Sequence, residues 1–248
     1  QCAPDELADW IARVDPSELL YSAGLSPTFE NRLKGWCASH GVAATIRPQW
    51  QFDPALGQRK LLELFKVASL GTWNAQDLPL AHAAASALLG YAEHTQGQPL
   101  SHMQGIVVQQ QDDLVQLPLA TRRNLELTQT LRGEASPTLF SLLDTCLTGM
   151  GSRLLRRWLL EPQRQREVAR QRLEAITYLR AGPWQALRAA IKGSTDIERI
   201  SARIALRQVR PRELVALQVT LDKTAQLAPL VLDQHGWLVQ LGHALKAP

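Results

Sequence analysis

The chain has 248 residues, 45% hydrophobic and 20% charged, with a net charge of +4 and three cysteines. That length can bury a sizeable core and suits one or two domains. Cys2, Cys37 and Cys146 show neither CxxC spacing nor an even count, so neither a disulfide framework nor a zinc motif is indicated, and no apolar run reaches the roughly 18 residues of a membrane span.

Charge is distributed unevenly. Residues 1–99 carry 7 Lys and Arg against 10 Asp and Glu, net −3, whereas residues 100–248 carry 20 against 13, net +7. The shift near residue 100 predicts two domains, 1–99 and 100–248. Acidic Asp5, Glu6 and Asp9 occupy the place where a secretory signal would be positive, so a cytoplasmic protein is expected. A chain opening on Gln1 is expected to belong to a longer polypeptide.

In chain order, Leu7, Trp10, Ile11 and Val14 recur at helical spacing over residues 4–20, and Glu18 to Tyr21 reads as a short buried strand ending at Ser22-Ala23-Gly24. Thr45 to Trp50 reads as a second extended piece. Asp53-Pro54 supplies a cap and a first-turn proline for a helix over 54–67, and an alanine-rich helix follows over 78–95. Strands alternating with helices predict an α/β layer with a parallel component. Ile106 to Val108 and Leu114 to Leu117 flank a polar Gln-Gln-Gln-Asp-Asp turn and predict a small hairpin. Thr121 to Leu127 reads as extended and polar. Beyond it the pattern is all-α, with helices expected over 137–146, 150–160, 164–181, 183–192, 195–208, 210–229 and 236–246.

Motifs for catalysis are missing from this sequence. It contains no phosphate-cradling G-x-x-x-x-G-K-[ST], no H-E-x-x-H and no G-x-S-x-G. Gly149-Met150-Gly151-Ser152 starts like a dinucleotide fingerprint, but Leu154 stands where the third glycine belongs. The six histidines form no i, i+4 pair, and Asp112-Asp113 reads as a solvated turn tip rather than an acid–base pair. The seven tryptophans are too dispersed to form a base-stacking platform.

The basic residues leave alternatives open. Arg199, Arg203 and Arg207 recur every four residues, as a phosphate-tracking stripe or as a solvated, ion-paired face begun by Asp196 and Glu198. Arg153, Arg156 and Arg157 alternate with Leu154, Leu155, Trp158 and Leu159, which predicts a core stripe containing Leu155 and Trp158 with guanidinium groups snorkelling outward. Arg153 alternatively fixes a helix start against another domain through a bidentate pair, with Gly151 or Ser152 capping its own helix. Arg122, Arg123, Asn124 and Glu126 read either as a buried polar network or as a surface for DNA or a partner domain.

The run Thr121-Arg122-Arg123-Asn124-Leu125-Glu126-Leu127-Thr128, then Leu142 to Asp144, Met150-Gly151-Ser152-Arg153 and Arg157-Trp158-Leu159, resembles the start of the core domain of MutS mismatch-repair proteins. The segment Asp196 to Arg212 is similar to the helix and turn that follow. Weaker likeness over Pro16 to Tyr21, Trp50-x-Phe52 and Leu61 to Phe65 extends the resemblance to the connector domain. It implies a truncated ribonuclease-H-like connector followed by a helical core, or lever, domain. Arg122, Arg123, Asn124, Glu126, Gly151, Ser152, Arg153 and Trp158 would be its core signature. The resemblance also implies a parent ATPase that uses ATP and magnesium in a domain this sequence does not contain, acts as a homodimer and engages mismatched duplex DNA. This chain itself would hold no cofactor and have no catalytic role. Its connector would be a docking platform for MutL, with Arg59 and Lys60 as the candidate contacts. The rival reading is a free-standing basic helical module with nonspecific DNA affinity.

Overall fold

A computed structural model describes residues 7–14, 16–100, 103–108, 113–232 and 236–245. The chain divides into two compact units, Gln1–Gln109 and Gln110–Pro248. In the first, α1 (Leu7–Val14) leads into β1 (Glu18–Ser22), α2 (Pro27–Ser39) and β2 (Ala43–Arg47). The strands run parallel, with Glu18 opposite Ala43 through to Ser22 opposite Arg47. Parallel neighbours need a crossover connection, and α2 supplies it. The expected elements leave 27–39 unassigned, because Asn31, Arg32 and Gly35 dilute the apolar spacing of Phe29, Leu33, Trp36 and Cys37. Leu33 and the almost wholly buried Cys37 nonetheless pack against Tyr21.

The extended piece expected over 45–50 ends early. Pro48 contributes no N–H to a ladder, and Gln49–Phe52 winds into a 3-10 turn instead. Next, α3 (Pro54–Phe65) starts as its sequence dictates, with Asp53 Oδ1 accepting from the Leu56 N–H at 2.6 Å. It packs on α4 (Pro79–Gln96), which stops at Gly97 in the left-handed region, φ 68°. Leu61, Leu70, Ala75, Leu89 and Leu100 form the core between them, and Leu70 is fully buried. The two helices meet at Gly57, where an added Cβ would lie 1.8 Å from the His82 carbonyl oxygen.

The hairpin expected around residue 110 does not form among the described residues, and most of its turn, 109–112, lies outside them. Ile106 and Val108 pack on the core of the first unit. In the second unit, Leu114 makes an isolated antiparallel bridge to Gln163, and Val115 N–H donates to the Pro162 carbonyl at 2.8 Å. A distant segment with free backbone groups therefore takes the pairing that a local hairpin would have supplied.

The described residues of the second unit contain nine helices: α5 (Leu119–Asn124), α6 (Leu139–Leu143), α7 (Gly149–Leu160), α8 (Arg166–Ala181), α9 (Trp184–Ile191), α10 (Ile197–Ala205), α11 (Pro211–Asp222), α12 (Thr224–Leu232) and α13 (Trp237–Ala244). A small parallel sheet followed by helices matches the expected α/β then all-α order. Three expectations are corrected. Thr121 to Asn124 is helical rather than extended, because Pro118 presets a helix entry. The single helix expected over 210–229 is two helices, α11 and α12, parted at Lys223. The helix expected over 195–208 stops at Ala205, and Arg207 takes φ 51°. The principal apolar cluster of this unit comprises Ala175, Val231 and Leu238, backed by Leu179, Leu187 and Trp237.

Candidate functional site

Arg122, Ser152 and Arg153, three of the residues singled out in the second unit, join helices to segments distant in sequence. Arg122 on α5 is buried, at 6% exposure. Its Nε donates to the Leu117 carbonyl at 2.9 Å and its Nη2 to the Leu160 carbonyl at 3.0 Å, so one guanidinium joins the entry of α5 to the last residue of α7. Terminal helix carbonyls lack intrahelical donors, and a fork-shaped cation meets that need. Its neighbours Arg123 and Asn124 are exposed. Glu126 sits at φ 45°, and its carboxylate accepts from the Leu131 N–H at 2.7 Å while its carbonyl accepts from the Leu139 N–H at 3.1 Å. It thereby organises the loop into α6.

The start of α7 is capped by Thr148, whose Oγ1 accepts from the Gly151 N–H at 3.1 Å. Neither Gly151 nor Ser152 is the cap. Ser152 Oγ instead donates to Asp144 Oδ2 at 2.5 Å, and the Cys146 N–H donates to the other oxygen at 3.2 Å. The Ser152 hydroxyl, with that N–H, holds the Asp144 carboxyl below its usual range. A Cβ on Gly151 would press to 3.2 Å from Thr148 Oγ1, so the cap favours glycine there.

Arg153 forms the bidentate pair that its position allowed, but within its own unit. Its two terminal nitrogens donate to Asp196 at 2.7 and 2.9 Å, and Nη2 also donates to Glu198 at 2.6 Å. Asp196 is the N-cap of α10, accepting from the Arg199 N–H at 3.2 Å. The carboxylates hold the Arg153 guanidinium well above its ordinary value, and Arg153 in turn holds Asp196 low. Two further side chains act alike: Arg188 donates to the Thr145 carbonyl at 3.1 Å, and Lys223 to the Lys192 carbonyl at 2.7 Å. Cations distant in sequence thus satisfy a loop carbonyl after α6 and the C-cap carbonyl of α9.

The expected core stripe on α7 is displaced. Leu160 is its buried residue, whereas Leu155 and Trp158 are half-buried and Leu154 is exposed. Trp158 offers its ring face to the Arg172 guanidinium at 3.9 Å. The Arg199–Arg203–Arg207 stripe does not form one helical face, because α10 ends before Arg207. Arg199 lies 3.5 Å from Asp196, and Arg203 pairs with Glu213 at 2.8 Å. In the first unit, Arg59 is exposed, but Lys60 is half-buried and its Nζ donates to the Ser86 carbonyl of α4 at 3.3 Å. Only Arg59 of the two candidate contacts is therefore directed to solvent.

Family models match two stretches, MutS domain II over residues 2–104 and MutS domain III over residues 120–239. The chain belongs to the MutS family. Its first unit is the connector, domain II, and its second contains the helical core, domain III. Within the stretch matched to domain III, Ser152 and Arg153 join α7 to Asp144 and to α10. Sequence reasoning missed the partners of Ser152 and Arg153 because Asp144 lies 8 residues away and Asp196 lies 43. One signal was present: Asp196 stands immediately before the apolar run of α10, where an N-cap belongs.

The two low-lying carboxylates carry a pH prediction. Carboxylates depressed in the folded state add stability above their ordinary value, 3.8 for both Asp144 and Asp196, and lose it as pH falls through the lower folded value. Urea unfolding of the second unit, followed by circular dichroism, is expected to show stability declining below about pH 4. Asp196→Asn should flatten that decline. An unchanged acid slope in the variant would show that Asp196 does not take part.

Proposed function

We propose that this chain works as the connector and lever of a MutS-type mismatch-recognition ATPase. The observation that supports the lever is the Arg153 fork, which ties α7 to the capped start of α10 and lets the helices move as one body. Coupling of this kind requires elements with discrete arrangements, and packed helices clamped at their ends are suited to it. ATP and magnesium would act in the ATPase domain of the whole protein, and mismatched duplex DNA would be gripped elsewhere in a homodimer. Among the described residues, no group of three His, Cys, Asp or Glu is placed to hold a metal, and no helix is long and apolar enough to cross a membrane.

The connector is the proposed docking platform for a MutL-type repair protein, with Arg59 as the contact carried by the exposed face of α3. The test is biolayer interferometry of the purified chain against cognate MutL at near-physiological salt. Saturable binding is expected, weakened several-fold by Arg59→Glu, in keeping with a rim charge at an interface. Lys60→Glu would also disturb the contact with Ser86, so its effect should be accompanied by a lower melting temperature. A folded chain that does not bind MutL would overturn the docking role.

A further inference from the structure

The 3-10 turn Gln49–Phe52 splits two aromatic residues between opposite environments. Phe52 is half-buried, whereas Trp50 stands outward at 67% exposure. Trp50, Phe52, Pro54 and Leu56 line a shallow, open hollow of about 580 Å³, with Gln49 and Asp53 at its edge. The turn is braced from both sides. The Gln51 N–H donates to the Pro48 carbonyl at 3.0 Å, and Arg47 Nε donates to Gln51 Oε1 at 2.9 Å. Arg47 is itself seated over the Tyr91 ring of α4, 5.3 Å from its centroid. An indole held in this way keeps its large apolar surface in water and has little backbone freedom left to lose on being covered.

The charges beside the hollow distinguish one class of occupant. The Asp53 carboxylate is turned into the N-terminus of α3, where the Leu56 N–H and the helix dipole offset its charge. Lys60 is directed at Ser86 on the α4 side. Arg59 lies three residues beyond Leu56, on the same face of α3, and is exposed without a hydrogen bond or ion pair to any described residue. An exposed planar guanidinium one helical turn from an apolar hollow complements a carboxylate close to a bulky apolar side chain. Tryptophan and arginine are also the residues that most often dominate binding energy at protein interfaces.

We infer that the Trp50 hollow, with Arg59 one helical turn beyond its Leu56 wall, is the anchoring pocket of the connector for a protein partner's segment carrying a large apolar side chain and, a few ångströms along, an acidic one. The inference rests on the proposed docking of MutL and adds an apolar anchor to a contact otherwise read from charge.

The test uses the whole chain and cognate MutL as probe, with affinity measured by interferometry and folding by thermal melts. Trp50→Ala is expected to weaken binding about tenfold or more while leaving the melting temperature unchanged, since the ring is mostly exposed. Trp50→Phe should retain most of the affinity, and Arg59→Gln should lose several-fold together with part of the salt dependence. Binding lost on Arg59→Glu but unchanged by Trp50→Ala would overturn the pocket and leave connector docking standing. Binding indifferent to both variants would overturn both assignments at this face. Absence of binding by the wild-type chain would overturn the docking role and the pocket with it.

Discussion

Replacing Gly57 with alanine is expected to destabilise the connector by about 3 kcal/mol or more, although alanine is the better helix former by about 1 kcal/mol. The reason is the closeness of α3 to α4. The new Cβ would fall 1.8 Å from the His82 carbonyl oxygen and 2.5 Å from its carbon. Both are backbone atoms, which no side-chain rotation can move aside. The helices would have to separate, opening the layer of Leu61, Leu70 and Leu89 that depends on their contact. In a unit of this size that loss corresponds to a fall of roughly 12 °C or more in melting temperature. Gly35→Ala in α2 is the matched control, because nothing lies within 4 Å of the position its methyl group would take. It should be neutral or stabilising by up to about 1 kcal/mol. Equal melting temperatures for the two variants would refute the close crossing at Gly57.

Arg122→Met is expected to cost the second unit about 2–4 kcal/mol. The substitution keeps an unbranched apolar stem but removes the donors to the Leu117 and Leu160 carbonyls, and the second of these bonds is buried. A carbonyl left without a donor away from water loses more than the net worth of one hydrogen bond. Arg122→Lys should recover part of the loss, since one ammonium can serve one of two carbonyls that Arg122 spans. The acceptors are neutral and the guanidinium is shielded, so the cost should change little with added salt. Arg153→Ala offers the contrast. Its side chain is 40% exposed and its partners are carboxylates, so its cost should be smaller than that of Arg122 and should shrink as salt rises. Urea titrations at low and high salt separate the two, and a salt-sensitive Arg122 would contradict its buried placement.

How far the fold could be read from sequence depended on whether the signal was local. The start of α3 was legible because Asp53-Pro54 contains both the cap and the first-turn proline. The end of α4 was legible because Gly97 takes a left-handed conformation that favours glycine. The α2 crossover was not, because Arg32 and Gly35 interrupt its pattern and its burial comes from the strands it bridges. Thr121 to Leu127 misled for a related reason: its polar residues read as extended, yet Arg122 is buried by finding carbonyls 5 and 38 residues away.

The candidate site divides in the same way. The capacity of Arg153 for a bidentate pair could be read from its place in the chain. The partners could not, since Asp144, Asp196 and the carbonyls of Leu160, Thr145 and Lys192 meet their donors only when helices are brought together. The same holds for Arg59 and Lys60, adjacent in sequence, of which one faces water and the other reaches across to α4. Residue order alone was enough to assign the family, the succession of an α/β unit and a helical one, and the Asp53 cap of α3. Which charges are occupied and which remain free was settled by folding, because long-range pairing is set by helix packing, and spacing along one chain carries no record of it.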